Sequence, residues 1–213
     1  MALTPPIFQQ NREYSARVTR QFLDLIGTEG VIDPGDLEVA ERSAGAAMSV
    51  DVAAGRAFIA GDDQAFQGSY LVANEAVVNL PIETADPADS RIDRVVLQVR
   101  DPNAGGPAGD DVVLVVLTGT PGAAPVAPTT PDSAISLATV QVSPAAVSIV
   151  NADITDTRPS TANPLVPPPA LDDLTDVELT APEDGEVLTY DGAEWVNKQP
   201  PAPFRALFFL MGA

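Results

Sequence analysis

At 213 residues the chain has room for one sizeable domain with appendages, or for two small domains. Its 30 acidic residues outnumber 11 basic ones and histidine is absent, leaving a formal charge of −19. That balance argues against nucleic acid and anionic membrane partners, which need clustered Lys and Arg. Without cysteine there is neither a disulfide framework nor a thiolate metal site.

Met1 to Gln10 contains Pro5-Pro6 and reads as an extended arm. It shows no basic stretch followed by an apolar run, so no signal peptide is expected. Tyr14, Val18, Phe22, Leu25 and Ile26 then recur at 3.6-residue spacing, with Glu13, Arg17, Arg20 and Asp24 opposite. The spacing predicts a helix over 14–26 that packs on a sheet and stops at Gly27. Leu23 lies off that stripe and is a candidate contact for a second subunit or a partner protein. Residues 30–36 read as turns, and Asp33-Pro34-Gly35-Asp36 lacks the acidic alternation and closing Glu of a calcium loop. A short strand is expected at 37–39.

The stretch Met48–Ile59 organises the rest of the chain. Met48, Val50 and Val52 alternate with Ser49 and Asp51. Ala53-Ala54-Gly55-Arg56 breaks the alternation, with Gly55 free to take positive φ, and Ala57-Phe58-Ile59 resumes it. The expectation is a tight hairpin, extended in the same sheet by strands at 67–72 and 76–82, with Pro81 at an edge. Arg91–Arg100 and Val112–Thr118 form the strongest strand pair, joined by a polar loop. The second is apolar throughout, which predicts burial on both faces at the centre of the domain. Prolines 121, 125, 128 and 131 predict an extended crossover. Next comes a strand with Ile135, Leu137 and Thr139 on one face and Ser136, Ala138 and Val140 on the other.

Residues 159–170 form a semi-rigid proline spacer. Beyond it, Asp191-Gly192 marks a turn between Val187-Leu188-Tyr190 and Trp195-Val196. With Leu171 and Leu174 this makes a unit too short to bury enough surface alone. The chain end carries Phe204, Leu207, Phe208, Phe209, Leu210 and Met211. Each such group gains about 1.5–3 kcal/mol on burial, so docking into another chain is favoured, with folding back on its own domain the alternative. The run 206–211 is far too short to cross a bilayer, and no membrane insertion is expected.

These elements predict a mainly β protein, an antiparallel sandwich or barrel-like domain with one N-terminal helix. Its parts are an arm and helix (1–29), a β-rich core (30–158), a linker (159–170), a β-hairpin oligomerisation module (171–197) and an apolar docking tail (198–213). Lacking His and Cys, nucleophile elbows, phosphate loops and dinucleotide fingerprints, the chain is expected to be neither an enzyme nor a cofactor binder. Carboxylate-pair glycoside hydrolysis remains formally open. However, Asp62-Asp63, Asp110-Asp111 and Asp172-Asp173 read as solvated turn residues, and aromatics are only 5%.

Met48–Gly61, Gln67–Val72, Arg91-Ile92-Asp93-Arg94-Val95-Val96 and Ala152-Asp153-Ile154-Thr155-Asp156-Thr157-Arg158 carry a resemblance over about residues 1–158. They resemble a family of bacteriophage minor tail or baseplate (upper-baseplate-like) proteins common in phages of actinobacteria and other Gram-positive hosts. Separately, Leu171–Val177 with Gly185–Val196 is similar to a short module of phage tail fibres and collars. The resemblance implies a structural subunit of the distal tail of the virion, made in the host cytoplasm. It further implies a homotrimer that contacts other tail or baseplate proteins and links receptor-binding fibres to the tail tip. Leu23, Leu171, Leu174, Trp195 and the apolar tail are the candidate partner-binding residues. The alternatives are the receptor-binding protein itself, engaging a host cell-wall glycan, or a cellular adhesin or injection-system subunit.

Overall fold

The computed structural model describes residues 13–24, 27–159, 177–181 and 183–199. They contain one α-helix, α1 (Ala16–Leu23), and a succession of strands. The strands are β1 (Gly30–Val31), β2 (Val39–Glu41), β3 (Ser49–Val52), β4 (Gly55–Gly61), β5 (Gly68–Asn74), β6 (Val78–Pro81), β7 (Arg91–Arg100), β8 (Asp111–Leu117), β9 (Ala134–Val142) and β10 (Ile154–Asp156). They continue with β11 (Val177–Glu178), β12 (Val187–Tyr190) and β13 (Trp195–Lys198). The protein is mainly β, its pairings are antiparallel except β11–β13, and no sheet closes into a barrel. Two compact units divide between Pro167 and Pro168.

The first unit holds three sheets, ordered β1-β4-β5, β2-β3-β6 and β10-β9-β7-β8. Their apolar faces share one core that includes Leu37, Val50, Val52, Ile59, Val95, Leu97, Leu137 and Ile149. β7 runs through the middle of its sheet, as its length and β-branched content predict.

β3 and β4 do not form the expected tight hairpin. β3 pairs with β6 from Ser49↔Pro81 to Val52↔Val78, and β4 pairs with β5 from Gly55↔Asn74 to Gly61↔Gly68. The true hairpin is therefore long, turning at 62–67, and Ala53-Ala54 mark a bend within one arm. There, two residues face three on the other arm (75–77), and the excess residue diverts the hairpin from one sheet into the next. Hydrogen bonds hold the bend: Ala53 N–H donates to the Glu38 carbonyl (2.8 Å), and Asn74 Nδ2 donates to the Ala53 carbonyl (2.8 Å). Gly55 does not take positive φ. It is needed because a Cβ there would lie 2.5 Å from the Leu37 backbone nitrogen.

Two further expectations are overturned. β8 is an edge strand, partly exposed along its whole length, because the chain after it crosses to the far side of β7 before forming β9. In β9 a register shift opposite Val95/Val96 changes the phase of alternation. Leu137 and Val140, expected on opposite faces, both join the core.

α1 is shorter than the predicted helix, and Val18 is its one buried residue. Its polar side, which the spacing sets opposite the apolar stripe, grips the hairpin turn. Arg17 Nε donates to the Phe66 carbonyl (3.0 Å), Arg20 Nε to the Gln67 carbonyl (3.0 Å), and Ser69 Oγ to Asp24 (2.5 Å). Turn carbonyls lack strand partners, so guanidinium donors satisfy them better than water left beneath a helix would.

Arg91, Asp93, Arg94 and Arg158, charged residues of the resemblance motifs, are clips. Arg91 and Asp93, 3% and 0% exposed, form a buried ion pair at 2.9 Å. Arg91 also donates to the carbonyls of Thr84 (2.8 Å) and Glu83 (2.5 Å), and Asp93 accepts from Gly119 N–H (2.8 Å). On the opposite face Arg94 holds the proline crossover through the Pro128 carbonyl (2.6 Å). Arg158 bonds Asp156 (2.6 Å) and the Asp36 carbonyl (2.6 Å), fastening the end of the unit to the turn before β2.

Several carboxylates are held below their ordinary pKa: Asp51 by Ser43 N–H and Asn79, Asp86 by the N–H groups of Ala88 and Asp89, and Asp111 and Asp156 by their arginines. Their contribution to stability is fully present above the unfolded value of 3.8 and is lost as pH falls through the lower folded values. Glu29, raised by burial, works in the opposite sense and favours the fold at low pH. With more groups depressed than raised, the melting temperature is expected to fall below about pH 4. Circular dichroism melts at pH 6 and pH 3 check this; an equal or higher value at pH 3 would mean that relief of self-repulsion outweighs the lost bonds.

Candidate functional site

The second unit is a three-stranded sheet ordered β11-β13-β12. Asp191 shapes its hairpin turn by accepting from Ala193 and Glu194 N–H, and those bonds lower its pKa. Glu194 is raised, chiefly by the nearby negative charge of Glu178. Asn197 ties the strands together, donating to the Thr180 carbonyl (3.1 Å) and to Glu186 (2.5 Å).

Register places Val177 and Tyr190 directly opposite Trp195, and Leu188 opposite Asn197. Opposed residues in a sheet share a face, so Val177, Leu188, Tyr190 and Trp195 form one apolar surface. The Tyr190 and Trp195 rings meet at 5.5 Å between centroids. Tyr190 is 53% and Trp195 41% exposed, and no described residue from 177 to 199 is buried. Among the described residues of this unit, no second layer covers that face.

Of the residues singled out by sequence, Trp195 lies on this surface. Leu23 ends α1 half-buried, on the other unit. Leu171, Leu174, Phe204, Leu207, Phe208, Phe209, Leu210 and Met211 lie outside the described residues.

Two features escaped the sequence reading. At the hairpin turn, Phe66 is 78% exposed with φ 61°. Its carbonyl is held by Arg17 and by Gln21 Nε2 (2.9 Å). Behind it, buried Gln67 donates to Asp63, Tyr70 Oη and Ser133 Oγ, while Tyr70 donates to Asp101 (2.8 Å). Burial pushes the Tyr70 hydroxyl up. Asp62 accepts from Ser133 N–H, so Asp62 and Asp63 are bound into this network and are not simply solvated turn residues. Nothing in the local sequence marks the partner, Ser133, because it comes from 70 residues away.

The second feature is the free side of β8. A cleft of about 400 Å³ opens between it and the hairpin, lined by Asn74, Val78, Leu97, Val112 and Leu114 among others. A neighbouring cleft of about 330 Å³ includes Tyr70, Leu71, Val99 and Val112.

The chain matches no family model, no curated protein and no solved structure. Among the described residues, no helix is long and apolar enough to cross a membrane. Nor does any group of three or more Asp, Glu, His or Cys among them adopt a metal-holding arrangement. What the described surface offers is apolar contact area, on the sheet of the second unit and along β8 of the first.

Proposed function

We propose that this protein is a structural subunit of the distal tail of a phage virion, a minor tail or baseplate protein with no reaction to perform. It assembles as a homotrimer through its second unit and connects receptor-binding fibres to the tail tip. The observation that carries the reading is the uncovered apolar face of Val177, Leu188, Tyr190 and Trp195. Two further copies of the same sheet would supply the missing layer and give the unit an interior. The motif resemblance supplies the phage tail as the setting. The absence of His and Cys, which removes the commonest general bases and nucleophiles, agrees with a non-catalytic role.

Sedimentation of the full chain tests the assembly, with a trimer or a whole multiple of it expected at micromolar concentration. Trp195→Ala combined with Tyr190→Ser is expected to weaken association at least about 30-fold, because buried aromatic anchors dominate interfaces. The same variant is expected to be lost from particles while its first unit stays folded by circular dichroism. A stable wild-type monomer would overturn the trimer. Saturable binding of the purified chain to host cell walls would instead make it the receptor-binding protein.

A further inference from the structure

We propose that β8 is a second self-association surface, pairing edge to edge with β8 of another copy so that two four-stranded sheets become one. β8 ends the order β10-β9-β7-β8. Among the described residues, no backbone group of Val112–Leu117 bonds anything outside β7. Exposed edges invite pairing, and proteins guard them with short length, proline, charge or a covering element. The other outer strands of this unit are guarded in those ways. β1, β2 and β10 have three residues or fewer, β6 ends in Pro81, and α1 lies on β5. β8 has seven residues, Asp-Val-Val-Leu-Val-Val-Leu, without proline, lysine or bulge.

Charge selects a second copy as the occupant. A chain of formal charge −19 repels its own copies over most of its surface. Val112–Leu117 carries no charge, and Asp111, at its end, is neutralised by Arg100 at 2.6 Å. The β8 edge is therefore a place where two copies approach with little electrostatic cost. Antiparallel pairing with Leu114 opposite Leu114 sets Val112 against Val116 and keeps each core-facing side chain on the core side of the joined sheet. Those residues would close over the cleft beside Val78 and Leu97 from the neighbouring copy. The pairing does not depend on the second unit.

The absence of cysteine makes the test clean. Single variants V113C, L114C and V115C of the full chain are oxidised with glutathione disulfide, with V126C and V147C, at exposed sites, as collision controls. Directly opposed strand residues lie about 4.5–5.5 Å apart at Cα, within the range a disulfide spans. One of the three edge variants is expected to cross-link more than about tenfold faster than the controls, through the effective concentration that pairing confers. V115K (in L114C) or V113K (in V115C) is expected to abolish that gain without changing the circular dichroism spectrum. Edge variants that link no faster than the controls overturn the proposal, as does linking that the lysine leaves unchanged.

Discussion

Replacing Asp93 with alanine is expected to destabilise the first unit by about 3–5 kcal/mol, because it strands a buried guanidinium. Against a total domain stability of roughly 5–15 kcal/mol, that brings the unit close to unfolding. Arg91 would keep its bonds to the carbonyls of Glu83 and Thr84 but lose its counter-charge at 2.9 Å. Gly119 N–H would lose its acceptor as well. The charge itself is not what the fold needs: an R91M/D93L pair, removing both ions, is expected to cost less than either single change. Urea unfolding of the wild type, R91M, D93L and the R91M/D93L pair decides this, read as midpoints at constant slope. Additive single-variant losses would show that the two residues act separately, and the ion-pair explanation of this clip would fail.

Gly68→Ala is expected to release α1 from the sheet. The Gly68 φ is +81°, a region costing an L-residue about 1–2 kcal/mol. The added Cβ would also sit 2.5 Å from the backbone carbon of Arg20 and nitrogen of Gln21. These are helix main-chain atoms, so no side-chain rotation relieves the clash, and overpacking of this kind costs about 1–3 kcal/mol more. Lifting the helix breaks the bonds of Arg17, Arg20 and Gln21 to the turn carbonyls. The core of Leu37, Val50, Ile59 and Leu137 does not include α1, so the three sheets are expected to persist. Hydrogen exchange should therefore show lost protection over 16–23 with β7 and β9 unchanged. Full protection of the helix in the variant would refute close backbone approach as the reason for glycine.

Both predictions concern residues whose importance the chain displays only indirectly. Arg91 and Asp93 stand two apart in a strand and so share a face, which local alternation already implies. That this face is the core follows only from how the sheets stack. The apolar run Val112–Leu117 illustrates the converse. Composition gave it the profile of a central strand, yet the crossover after it leaves it at an edge, where the same side chains become contact surface. That Trp195 has no core to bury it was legible, because its unit is too short to contain one, a matter of chain length alone.

The positions of the longer strands, the predominance of β-structure, the strong negative charge and the lack of His and Cys follow from the residues read in order, since each is a property of local pattern or composition. The short β1 and β2 do not, for β1 lies within the expected turns of 30–36 and β2 starts where the expected 37–39 strand ends. Which strands meet does not follow either. One surplus residue opposite Ala53-Ala54 and one shift beside Val95/Val96 reassign pairing partners and facing side chains, and neither leaves a mark in hydrophobic alternation. Pairing is settled between segments tens of residues apart, by backbone hydrogen bonds that every residue type except proline can make, so it emerges only when the chain is folded.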